Sequence, residues 1–110
     1  MPLQVIIQQV GPLPITVNFN APGDSPMTLE VNGSVWTQTT NSMIGIGIKL
    51  DNKVIGAAQI FSNAKATHRT VVPVYLPIKL HQGQHTLSLY VNTGTTISDL
   101  NDFYTAVIRY

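Results

Sequence analysis

The chain has 110 residues, of which 44% are hydrophobic and only 10% are Asp, Glu, Lys or Arg, against the roughly 25% common in soluble domains. Its net charge is +1 and it holds no cysteine, which excludes disulfides and thiolate metal sites and leaves no electrostatic footprint for nucleic acid or an anionic membrane. That length predicts a single domain over residues 1–110, large enough to bury roughly two thirds of its unfolded surface without staples.

The segment after Met1, Pro2-Leu3-Gln4-Val5, has neither the basic n-region nor the long apolar h-region of a signal peptide. No stretch is long enough for membrane insertion, and localisation stays unassigned. The first run, Leu3 to Val10, sets Leu3, Val5 and Ile7 against Gln4 and Gln8, with Ile6 out of phase. Gly11-Pro12-Leu13-Pro14 ends it, after which Ile15, Val17 and Phe19 alternate with Thr16, Asn18 and Asn20. Pro22-Gly23-Asp24-Ser25-Pro26 is a dense turn cluster. Met27, Leu29 and Val31 alternate with Thr28, Glu30 and Asn32 up to Asn32-Gly33, which reads as a hairpin turn or bulge, with Val35-Trp36-Thr37 beyond it.

Met43 to Phe61 predicts a hairpin turning at Asp51-Asn52-Lys53, with Ile44, Ile46, Ile48 and Leu50 on one face. Gly45 and Gly47 lie on the other, opposite the small residues Gly56, Ala57 and Ala58, which predicts a shallow depression or a tightly packed patch. Ser62 to Arg69 is a polar loop. Thr70 to Leu80 is extended, but Pro73 and Pro77 cannot donate to a ladder, so this run is edge-like. After the turn at His81-Gln82-Gly83-Gln84, Leu87, Leu89 and Val91 alternate with Thr86, Ser88 and Tyr90. Asn92 to Asp102 reads as a long loop with one helical turn started by Ser98. The last run, Phe103 to Tyr110, is apolar on both faces, Phe103 and Val107 on one and Tyr104, Ala106, Ile108 and Tyr110 on the other. These runs predict an all-β fold, a two-sheet antiparallel sandwich of about eight strands in the jelly-roll arrangement.

So few charges leave a small monomer poorly protected against self-association. The expectation is therefore a homo-oligomer, with Tyr104, Ala106, Ile108 and Tyr110 facing a sister subunit. Histidine metal binding is not expected, because His81 and His85 are four residues apart along a strand, about 13 Å, and His68 is remote in sequence. Asp99, Asn101 and Asp102 cluster oxygen atoms that could take calcium, although a capped turn explains them as well and no resident cofactor is expected. Trp36 with Asn92, Thr93, Asp99 and Asn101 forms a candidate set for stacking on and hydrogen bonding to a sugar. No G-x-S-x-G elbow, phosphate loop, dinucleotide fingerprint or clear carboxylate pair appears, so catalysis is not expected.

The segment Leu80-His81-Gln82-Gly83-Gln84-His85-Thr86-Leu87-Ser88-Leu89-Tyr90 is followed by a loop and the terminal Phe103-Tyr104-Thr105-Ala106-Val107-Ile108. Together with the Lys49–Gly56 hairpin, it resembles trimeric jelly-roll modules of the C1q/TNF-like kind and modules at phage tail-fibre tips. That resemblance implies a homotrimer with a binding role and no chemistry of its own. The leading expectation is thus a non-enzymatic, homo-oligomeric binding or assembly module of phage-like or cell-surface type. The alternatives are a carbohydrate-binding lectin for a cell-surface glycan, with or without calcium, and a small hydrolase on the same scaffold.

Overall fold

The computed structural model describes residues 2–24 and 26–110; Ser25 of the turn cluster lies outside the described residues. Among the described residues nine strands run in the order β1 (Leu3–Val10), β2 (Ile15–Ala21), β3 (Pro26–Val35), β4 (Ser42–Leu50), β5 (Lys53–Ser62), β6 (Arg69–Thr70), β7 (Val74–Lys79), β8 (Gly83–Val91) and β9 (Phe103–Arg109). They form two antiparallel sheets, one ordered β1-β9-β3-β6 with β7 also on β3, the other β2-β8-β4-β5. Among the described residues only β4 and β5 are joined as a hairpin within one sheet, and almost every other connection crosses between sheets, which is jelly-roll connectivity. The extra strand arises because the proline-interrupted run after Arg69 divides into β6 and β7, each pairing with β3 alone. Among the described residues no helix is long and apolar enough to cross a membrane.

Alternation decides which side chains enter the space between the sheets. Ile44, Ile46 and Ile48 from β4, Leu87 and Leu89 from β8, Leu29 and Val31 from β3, and Tyr104, Ala106 and Ile108 from β9 are all fully or almost fully buried. The out-of-phase Ile6 marks a register shift against β9 between Val5 and Ile7, a bulge that restores Ile7 to the core side. At the β4–β5 hairpin, Asp51 and Asn52 both take positive φ, 50° and 70°, as a two-residue turn of the primed type requires.

Three sequence expectations need correction, and a fourth, left between two readings, is decided. Asn32-Gly33 is not a turn. β3 runs straight through it, pairing with β9 on one side as far as Gly33↔Tyr104. The glycine is needed there because a Cβ would stand 2.5 Å from the buried Tyr104 ring and 2.9 Å from the Phe103 carbonyl oxygen. Of the two readings of the bare backbone at Gly47, the tightly packed patch holds and the depression does not, since the Tyr90 ring lies over it, itself capped by Lys49 Nζ 5.2 Å from the ring centre. Ser98 starts no helix; its Oγ accepts from Leu13 N at 3.0 Å and bonds the Tyr104 hydroxyl. Tyr104, Ala106 and Ile108 are not an intersubunit face, because each is 0% exposed within the chain's own core. β9 is central, between β1 and β3, and of the predicted interface set Tyr110 alone stays exposed.

One end of the sandwich carries a charged clamp. His85 Nδ1 donates to Asp51 Oδ2 at 2.6 Å, and Nε2 donates to the His81 carbonyl at 2.7 Å. Thr86 N donates to Asp51 Oδ1 at 2.9 Å. Both imidazole nitrogens face acceptors, a geometry that suits the imidazolium. The bond to Asp51 and then that to His81 raise the His85 pKa above 6.5. Burial pulls the Asp51 carboxyl upward, but the bonds from His85 and Thr86 outweigh it and hold the group below 3.8. The histidine's contribution is complete below its unfolded pKa and is lost as pH rises through the higher folded value; the carboxylate's is lost only as pH falls through its depressed one. The clamp therefore acts most strongly in the mildly acidic range. Urea unfolding of wild type and His85→Gln should differ most near about pH 5.5 and clearly less at about pH 8.5. A pH-independent difference would contradict this account.

Candidate functional site

At the opposite end, the Asp102 carboxylate lies just before β9 and is 0% exposed. Burying such a group is unfavourable unless hydrogen-bond donors or cations meet its oxygens. Here Oδ1 accepts from Ser34 Oγ at 2.8 Å and from His68 Nδ1 at 2.7 Å, while Oδ2 accepts from Asp99 N at 3.0 Å. The Asp102 backbone is held too: its carbonyl accepts from Gly11 N at 2.8 Å and its N–H donates to the Asp99 carbonyl at 3.1 Å. The end of β3, the β5–β6 connection and the β8–β9 loop thus meet at one side chain, and the segment after β1 meets the backbone of the same residue.

Ser34, His68 and Asp102 have the composition of a catalytic triad without its order. The serine hydroxyl and the imidazole nitrogen meet the same carboxylate oxygen, so the imidazole does not bridge serine and aspartate as a nucleophile relay requires. Nearby, the Tyr104 phenol is bonded to Ser98 and buried, and burial pushes its pKa up, which keeps it neutral.

Ser34 also opens onto the sheet's outer face. With Asn32, Gly33, Thr70, Phe103 and Thr105 it lines a groove of about 210 Å³. None of these side chains is charged. The Phe103 ring is 45% exposed beside them. Asn32 Oδ1 accepts from Gly33 N at 2.8 Å, which orients the amide. β3 supplies one wall, β9 the aromatic one, and Thr70 of the short β6 closes the edge, opposite Ser34 in the ladder.

The residues named from sequence divide into two groups. Trp36 is brought to this end by a backbone bridge to Ile97, with its ring centre 5.6 Å from that of His68 and its indole nitrogen buried without a partner. Asp99 comes close to the same histidine, one ligand atom from each of His68, Asp99 and Asp102 lying within 4.8 Å of the others. Asn101 caps Asp99 through its backbone N–H, 2.8 Å from Oδ1. Asn92 and Thr93 instead brace the loop against β4: Asn92 N donates to the Gly45 carbonyl, and Thr93 Oγ1 donates to the Met43 carbonyl. Sequence reasoning missed His68, Ser34 and Phe103 as site residues. The only signal available for them in the sequence is that Phe103 opens a strand apolar on both faces, which does not say that its side is the outer one.

The fold and site together define a jelly-roll β-sandwich with a neutral groove beside a buried aspartate. Solved structures with a similar fold include a CBM35 from Cellvibrio japonicus Abf62, with 11% identity and a TM-score of 0.55 over 88% of this chain and 64% of that one. A family 35 carbohydrate binding module from an environmental isolate has 15% identity and a TM-score of 0.52 over 88% of this chain and 66% of that one. The dimeric latent PorU from Porphyromonas gingivalis has 9% identity and a TM-score of 0.59 over 97% of this chain but only 12% of its own. At these identities the likeness shows the fold alone, and the chain spans less than two thirds of the first of these structures. No protein-family model and no curated protein sequence matches it. The resemblance to trimeric jelly rolls thus holds as far as the β-sandwich; the similar structures named here include carbohydrate-binding modules.

Asp102→Ala should lower the free energy of unfolding by about 3 kcal/mol, because it strands a hydroxyl and a backbone N–H away from water. Asp99→Asn, which keeps an oxygen for Asn101 N, should cost less than about 1 kcal/mol. Equal losses for the two in urea titrations at neutral pH would show that Asp102 is not the hub.

Proposed function

We propose that the chain is a carbohydrate-binding module that takes a neutral sugar in the groove beside Phe103. The observation that carries this reading is the lining itself, an exposed aromatic ring flanked by one amide and three hydroxyl side chains with no charge among them. An aromatic face covers the apolar C–H surface of a pyranose, while amide and hydroxyl groups exchange hydrogen bonds with its rim. The likeness to carbohydrate-binding modules supports the same reading. A groove of about 210 Å³ lies below the usual range for enclosed ligand pockets, so affinity per site is low and repetition of the module would multiply it. The arrangement around Ser34 favours binding over hydrolysis, since the serine hydroxyl is directed at a carboxylate.

Glycan-array screening followed by calorimetry on the best hit tests the proposal. Phe103→Ala should weaken that hit about tenfold, the loss of one stacking contact, with thermal unfolding little changed. A wild-type protein silent across neutral glycans would end the reading.

A second reading is self-association through the outer face of β1 and β9, where Leu3, Val5, Val10 and Phe103 are exposed together. Light scattering at about 10–100 µM would reveal it as a mass above 12.0 kDa, abolished by Val5→Lys. A monomer throughout that range would dismiss it.

A further inference from the structure

We propose that His68, Asp99 and Asp102 bind a divalent cation of the zinc class. One ligand atom from each lies within 4.8 Å of the other two, although His68 and Asp102 are 34 residues apart in sequence. The Asp102 carboxylate is fully buried, and its ion-pair contact among the described residues is with His68, not with a lysine or arginine. Two carboxylates, one of them wholly removed from water, therefore stand beside a single imidazole, with no lysine or arginine in ion-pair contact with Asp102 among the described residues. A doubly charged ion offsets that concentration of negative charge better than one imidazole can.

The donor set selects the ion. Calcium takes six to eight oxygens. Here two side chains offer carboxylate oxygens, and one oxygen of Asp99 already accepts from Asn101 N. A nitrogen with two carboxylates suits zinc, which completes four-coordination with three protein ligands and one open position. His68 is 36% exposed on its side chain, so the cluster is not sealed from solvent on the histidine side. The carboxylates are oriented in advance: Ser34 Oγ donates to Asp102 Oδ1, and Asp99 N donates to Oδ2, as outer-shell donors hold metal ligands. Two ligands of tetrahedral zinc stand about 3.3 Å apart, whereas His68 Nδ1 and Asp102 Oδ1 are 2.7 Å apart. The ion takes the place of the bridging hydrogen and parts them by about half an ångström.

The chain carries its own reporter. Trp36 is its single tryptophan, with its ring centre 5.6 Å from that of His68. Titrating zinc chloride into the purified protein should produce a saturable, one-to-one change in tryptophan fluorescence and a rise in melting temperature. Calcium chloride should produce neither at the same concentrations. His68→Ala removes the nitrogen, and Asp99→Asn removes a charge while keeping the loop's hydrogen bond. Each should weaken zinc at least about tenfold, with circular dichroism checking that the variant is folded. If His68→Ala fails to fold, Asp99→Asn decides the matter alone. The proposal is overturned if zinc gives no saturable signal, or if a folded variant keeps wild-type affinity, which would place the ion elsewhere, such as at His81. Calcium binding that depends on Asp99 but not on His68 would overturn it equally. None of these readouts depends on sugar binding, so the failure of one proposal leaves the other standing.

Discussion

An ionised carboxylate can be held away from water only where several donors converge on it, and this constraint organises one end of the molecule. Asp102 draws a hydroxyl from β3, an imidazole from the connection after β5 and a backbone N–H from its own loop, while its carbonyl fixes the chain just after β1. Those segments are up to 91 residues apart, Gly11 to Asp102, and the loop closures they represent are entropically costly. Meeting at one point makes them interdependent. Asp102 also sets the start of β9, and with it the position of Phe103 beside Ser34. The groove's shape therefore depends on a side chain that is not part of its lining.

The two ends of the sandwich solve the same electrostatic problem in opposite ways. At the hairpin end, Asp51 is half-exposed and its imidazole partner is the less accessible of the two. At the groove end, the carboxylate is buried and the imidazole reaches solvent. The first arrangement stabilises a turn whose backbone already favours its shape. The second leaves a partly exposed imidazole next to a buried carboxylate, which is a chemical feature rather than a structural brace alone.

Much of the architecture was legible from period-two alternation. Leu3–Val10, Ile15–Phe19, Met27–Val31, Ile44–Leu50 and Leu87–Val91 all lie in strands, and Pro73 and Pro77 gave away an edge. Local signals failed where tertiary packing overrode them. Asn32-Gly33 carries a turn signature, but the glycine is there for the Tyr104 ring. β9 is apolar on both faces, and alternation cannot say which of two apolar faces is the core; Tyr104 and Ile108 turn inward, leaving Phe103 outside. Less of the site could be read. Trp36 and Asp99 do come to the groove end, but no pattern linked His68 to Asp102, because their proximity is created by two connections folding over the same sheet end. Asn92 and Thr93 looked like free polar groups because hydrogen bonds to a distant strand leave no trace in sequence.

The prolines of the run after Arg69 have a counterpart across the sheet. β7 pairs only with β3, and its Pro77 offers no N–H to any newcomer; β1, at the far side, is interrupted by the bulge at Ile6. Both borders of that sheet are thus ill-suited to templating another strand. On that sheet the exposed apolar side chains of β1 and β9 lie between margins whose backbone discourages the addition of a further strand.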